Sequence, residues 1–157
     1  MSKFQELNPN LRKVLEHLIS SQRLCKYLVY DTLDPVSQPD VQHPDELLYE
    51  RISPVPRNPP VEAEPHSYIT VMFDQFNPGG TYAVKEGALT LFVISHVSLW
   101  RLNEGIRPLA VMHEIDRLLN QRQVIGLNPA KFDQAKWIAV NDNFSGYQLS
   151  YKIAFAN

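Results

Sequence analysis

The order of patterns along the chain predicts an α+β fold: an antiparallel four-stranded sheet, two main helices packed on it, and a long proline-rich arm. Three observations carry this prediction. Amphipathic stripes near residues 11–19 and 111–119 mark two helices. Four stretches rich in β-branched and aromatic residues, the last strictly alternating, mark strands. Between the first helix and the first strand, residues 31–65 hold eight of the twelve prolines.

The first helix follows from Asn8 or Asn10 as a cap, Pro9 in a first-turn position, and Leu11, Val14, Leu15, Leu18 and Ile19 at helical spacing. Ser20-Ser21-Gln22 marks a break, after which a further turn or two turns Leu24, Cys25 and Leu28 inward. Residues 31–65 predict neither regular helix nor central strand, because proline lacks the backbone donor and fixes φ. Asp45 to Tyr49 has the composition for one helical turn. A long connection of this kind is usually functional or disordered, and the expectation is an extended arm that orders against partners.

Ser67 to Phe73 reads as the first strand, and Asn77-Pro78-Gly79-Gly80 as the turn after it. A second strand is expected from Ala88 to Trp100, longer than usual and covered on both faces at its middle. Pro108 opens a second helix whose apolar face is Val111, Met112, Ile115, Leu118 and Leu119. Gln134 to Val140 is the third strand. In the fourth, Tyr147, Leu149, Tyr151, Ile153 and Phe155 alternate with Gln148, Ser150, Lys152 and Ala154, so one face is buried and the other wet.

A chain of 157 residues with 44% hydrophobic content fits one α+β domain spanning 1–157. Its apolar-rich stretch Leu89 to Ile94, interrupted only by Thr90, is far short of the roughly 20 residues a spanning helix needs. With no apolar leader in Met1 to Glu6, the expectation is a protein made in the cytoplasm and associated with no membrane. Net charge is −2, but it is unevenly distributed: residues 31–65 carry eight acids against Arg51 and Arg57, a local −6, and the remainder sums to +4. An acidic segment on a mildly basic body provides two unlike surfaces.

Chemistry-bearing patterns are sparse. His113-Glu114-Ile115-Asp116-Arg117 lacks the second histidine at i+4 that a zinc-protease helix requires. His96 stands beside Ser95 and Ser98 without a nucleophile elbow, and Gly79-Gly80-Thr81 lacks the lysine and helix start of a phosphate loop. The single cysteine, Cys25, reads as a small buried hydrophobe. The expectation is no enzyme, no metal and no cofactor. Arg12, Lys13, Arg23 and Lys26 on the first helix are the best basic cluster, and give the alternative of a nucleic-acid-binding accessory protein.

Candidate function therefore lies in protein contacts. Within the arm, Leu47, Leu48, Tyr49 and Ile52 are the apolar anchors, and Asp40, Asp45, Glu46 and Glu50 supply acidic steering. The turn at Pro78, Gly79 and Gly80 is a second candidate contact.

The segment Leu91-Phe92-Val93-Ile94-Ser95-His96-Val97-Ser98-Leu99-Trp100 resembles a strand of the tail-completion or tail-terminator (head–tail joining) proteins of long-tailed bacteriophages. Ile115-Asp116-Arg117-Leu118-Leu119 resembles the helix after that strand, and Phe144 to Tyr151 the closing hairpin. The resemblance covers about residues 66–157 and the first helix, and its patterns are loose. It implies a virion neck or tail protein, assembled in the host cytoplasm. Its copies would form a ring, commonly a hexamer, that caps the tail tube and joins it to the head connector. The implied partners are further copies of itself, the tail tube protein and the connector or head-closure protein. DNA would enter only as cargo crossing the lumen. A head-closure or connector ring is the neighbouring alternative.

Overall fold

The computed structural model describes residues 3–156. After a 3-10 turn at Lys3–Glu6, helix α1 (Leu7–Ile19) buries Val14, Leu15 and Leu18. Two serines make the predicted break. Ser20 Oγ donates back to the His17 carbonyl at 2.6 Å, and Ser21 Oγ accepts the Leu24 amide at 3.1 Å. One side chain thus satisfies a carbonyl at the end of α1, and the next caps α2 (Gln22–Val29). Leu24, Cys25, Tyr27 and Leu28 of α2 are buried.

The next regular strand is β1 (Ile52–Ser53), followed by β2 (Ser67–Pro78) and β3 (Val84–His96). A small hairpin, β4 (Arg101–Leu102) and β5 (Gly105–Ile106), leads into α3 (Arg107–Leu119), then β6 (Lys131–Ala139) and β7 (Phe144–Ala156). The α+β class stands, but the sheet differs from the four-stranded antiparallel one expected. It has five strands in the order β1-β2-β3-β7-β6, and it is mixed, because β1 runs parallel to β2. Each neighbouring pair among the four long strands is antiparallel. The β4–β5 ribbon forms a separate two-stranded sheet, and among the described residues the α-helices number three, against the two main helices expected. β1 has only two residues. A segment that short has no period to read, and its neighbouring prolines argue against a strand.

The second strand is displaced from its expected bounds. It starts at Val84 and stops at His96, and Val97–Leu99 form a 3-10 turn. His96 Nδ1 accepts the Ser98 amide at 3.1 Å, and Trp100 Nε1 donates to the Ser95 carbonyl at 3.2 Å. These local bonds turn the chain where apolar alternation alone predicts it to continue. Likewise β6 begins at Lys131, three residues before the expected Gln134.

Along the strands, alternate residues meet the helices. Ile69, Val71, Leu89, Leu91, Val93, Leu149, Tyr151, Ile153 and Phe155 pack with α1, α2 and α3 into one core. Each fully buried side chain of this size contributes about 1.5–3 kcal/mol. Gly146 lies where β7 passes β3: a Cβ there would stand 1.7 Å from the Val93 carbonyl oxygen, so no larger residue fits.

Residues 31–65, expected as an extended arm, lie against the body. They form 3-10 turns at Pro35–Ser37 and Pro44–Leu47, then β1 on the outer edge of β2. Beyond β1 the chain crosses to the helix-free face of the sheet. There Asn141 Nδ2 donates to the Pro59 carbonyl and Asn143 Nδ2 to the Val61 carbonyl, each at 2.8 Å. The Arg57 guanidinium stacks 4.6 Å from the Tyr68 ring centroid. Prolines suit this course, because a strap bonded through its carbonyls has little need of amide donors.

Candidate protein-interaction surface

The predicted contact residues fall into two groups set apart by the length of β2. β1 pairs with Ile69 and Thr70, whereas Pro78 ends the same strand. Eight residues of strand separate them by roughly 26 Å.

The first group divides by burial. Ile52 is 0% exposed and Leu47 8%, so both belong to this subunit's own core, and Leu48 packs partly against it. These three hold the segment down and do not reach outward. Tyr49 does: it is 60% exposed, at the apex of a tight turn. Its amide donates to the Ile52 carbonyl at 2.8 Å, the Arg51 amide to the Leu47 carbonyl at 2.8 Å, and Arg57 Nη1 to the Glu50 carbonyl at 2.9 Å. Tyr49 adopts φ 68°, a left-handed conformation that is uncommon for an aromatic residue. A rigid, strained turn therefore presents one large aromatic to solvent, the kind of side chain that anchors protein interfaces.

Around it the acids Asp45, Glu46 and Glu50 are exposed. Asp40 is engaged within the chain, 3.0 Å from Lys26 Nζ. The second group, Pro78, Gly79 and Gly80, forms the mouth of the β2–β3 hairpin. The Gly79 amide bonds the Val84 carbonyl at 2.9 Å, and a Cβ on Gly79 would meet that oxygen at 2.7 Å. Its glycine is needed for the turn.

Two of the basic residues of the first two helices are engaged within the chain. Lys26 donates to the Val36 carbonyl and pairs with Asp40, and Arg12 pairs with Glu16 at 3.1 Å. Two of the four cations are thus matched within the chain, which lowers the field available to a phosphate backbone.

The scattered polar residues also stay apart. His96 packs edge-on against Phe144, with ring centroids 5.0 Å apart, while Asp116 accepts the Tyr151 hydroxyl at 2.8 Å on the core side of the sheet. Burial, and then the Asp116 carboxylate, push the Tyr151 hydroxyl pKa well above its usual value. Cys25 is buried, which raises its thiol to about 11. Glu114 is buried on α3 and accepts Arg117 Nε on both oxygens at 3.1 Å and Ser21 Oγ at 2.7 Å. The Arg117 bonds, opposed by burial, hold its pKa below the usual carboxylate value. Among the described residues, no three His, Cys, Asp or Glu side chains converge as a metal site.

Sequence reasoning missed three surface features. One is the groove on the helix-free face, about 560 Å³, between Pro56–Asn58 and Met72, Phe92, Ile94 and Ile138. Another is a groove of about 320 Å³ between α3 and β6, lined by Leu109, Met112, His113, Phe132 and Ala135. The third is β6 itself, whose Phe132 and Trp137 are 46% and 59% exposed. An apolar strand pattern reads as buried whether or not anything covers it, so the sequence carries no mark of the open edge.

A family model described as YomW matches residues 21–153, from the cap of α2 to within the last strand. No curated protein matches the chain. No helix among the described residues is long and apolar enough to cross a membrane.

Proposed function

Since the chain belongs to the YomW family, which is phage-derived, we propose that it is a structural protein of the virion neck. In this reading its copies form a tail-terminator-like ring that caps the tail tube and joins it to the head connector. The observation that carries the reading is the turn at Tyr49: a rigid exposed aromatic, with the exposed acids Asp45, Glu46 and Glu50 within four residues of it in sequence, on a body of opposite charge. A ring requires a heterologous contact, in which one patch meets a different patch on the next copy. An aromatic anchor with charged steering is suited to that contact. No catalytic residue, metal or cofactor belongs to this role.

The test is native mass by light scattering over a concentration series, alone and with tail tube ends. A closed ring of about six copies supports the proposal. A mass that never exceeds two copies under either condition overturns it.

A further inference from the structure

β6 ends the sheet order, so among the described residues no strand pairs with its outer edge, where only the Phe132 amide is engaged, donating to Asn120 Oδ1 at 3.0 Å, a side chain that an incoming strand would displace. Every residue of it except Ile138 is exposed. Register with β7 assigns its faces. Phe132, Ala135 and Trp137 stand opposite Tyr151, Leu149 and Tyr147 on the helix side. Lys131, Gln134, Lys136 and Ile138 stand opposite Lys152, Ser150, Gln148 and Gly146 on the other. The register shifts between Phe132 and Gln134, leaving Asp133 as the extra residue of a bulge. Its carboxylate lies 3.8 Å from Lys152 Nζ, which places it on the helix-free face with Lys136.

With the bulge discounted, the strand is symmetric about Ala135: aromatic, polar with acid, alanine, lysine, aromatic. We propose that β6 pairs antiparallel with β6 of a second copy of this chain, about a twofold axis through Ala135. Phe132 then faces Trp137 of the second copy on the helix side, and two alanines meet at the axis. On the other face Lys136 meets Asp133 of the second copy, and each contact occurs twice. Facing residues share a face, as antiparallel pairing requires, only because the bulge corrects the count. Exposed edges are usually guarded by lysines and bulges against indiscriminate pairing. Here they select one register. A slip of two residues brings Lys131 opposite Lys136, and like charges directly opposed are destabilising. This contact closes on itself and does not propagate, so it is separate from the head-to-tail contact of a ring and does not depend on that reading.

The experiment is sedimentation equilibrium of the full chain and two charge reversals, Asp133→Lys and Lys136→Asp, with circular dichroism confirming the fold of each. The wild type is expected to show a concentration-dependent dimer. Each reversal alone should weaken it at least about tenfold, which is about 1.4 kcal/mol. Mixing the two variants in equal amounts should restore a heterodimer, because the Asp133→Lys chain then faces acids and the Lys136→Asp chain faces lysines. Wild type that shows no dimer, or dimer that neither reversal weakens, overturns the proposal. So does failure of the mixture to recover pairing. A mass limited to two copies with recovery on mixing overturns the ring and leaves this pairing standing.

Discussion

Arg107 Nη1 donates to the Tyr27 carbonyl at 2.6 Å, tying the first turn of α3 to a helix eighty residues earlier in the chain. The same guanidinium donates to the carbonyls of Leu99 and Thr32, and its side chain is 1% exposed. Burial lowers its pKa and Asp31 opposes that shift. Replacing it leaves three carbonyls to be satisfied in a dry site. Arg107→Leu is expected to lose about 3 kcal/mol or more, and Arg107→Lys nearly as much, since a point ammonium does not reproduce the fork. Urea unfolding measures this; a loss below about 1 kcal/mol would refute the clamp.

Glu114 gives a pH signature. Its folded pKa is depressed, so its contribution is present above the unfolded value of about 4.3 and fades as pH falls through the folded value. Glu114→Gln is expected to cost about 1–2 kcal/mol at neutral pH, and to converge with wild type in acid. Parallel stability curves from pH 7 to 3 would contradict this assignment.

Much of the fold is legible in the sequence because it rests on periodicity. The stripe of α1, the serine break, Pro108 in the first turn of α3 and the alternation of β7 all reappear in place. What escapes is non-local. Ile52 reads as an exposed anchor because the surrounding prolines deny it a period, yet its partner Ile69 makes it core. Tyr49 is legible as a candidate by residue type, but its selection over Leu47 comes from a backbone turn that no pattern encodes. The open edge at Phe132 and Trp137 depends on α3 not covering it, which is a tertiary fact.

The burial of Ile52 changes how the 31–65 segment should be tested. Deleting residues 40–60 removes Ile52 and the strand beside β2, so an unfolded product is expected. Ile52→Ala should by itself cost about 2–5 kcal/mol. Thermal melts would show it, and an unchanged midpoint would mean the segment is not part of the core.

Tyr49→Gly separates folding from assembly. Glycine adopts φ 68° without the steric cost, so stability should hold or rise by up to about 1 kcal/mol. Removal of the exposed ring should meanwhile abolish ring formation. A stable variant that still assembles would exclude Tyr49 as the anchor.

Cys25 serves as an internal reporter. With its thiol raised to about 11 and buried, it should resist a thiol reagent at pH 8 in the native protein and react once urea unfolds the chain. Rapid labelling without denaturant would show that α2 opens locally.

β7 lies between β3 and β6 and follows both of them in the chain. During synthesis, β3 therefore has β2 but not its central neighbour, and β6 has no strand partner at all, until residues 144–156 leave the ribosome. The nascent polypeptide must carry an unfinished sheet, with Leu89, Leu91 and Val93 still lacking cover from β7, until those residues emerge. Closure of the sheet therefore waits on β7, and the interval before closure is when this chain most needs a chaperone.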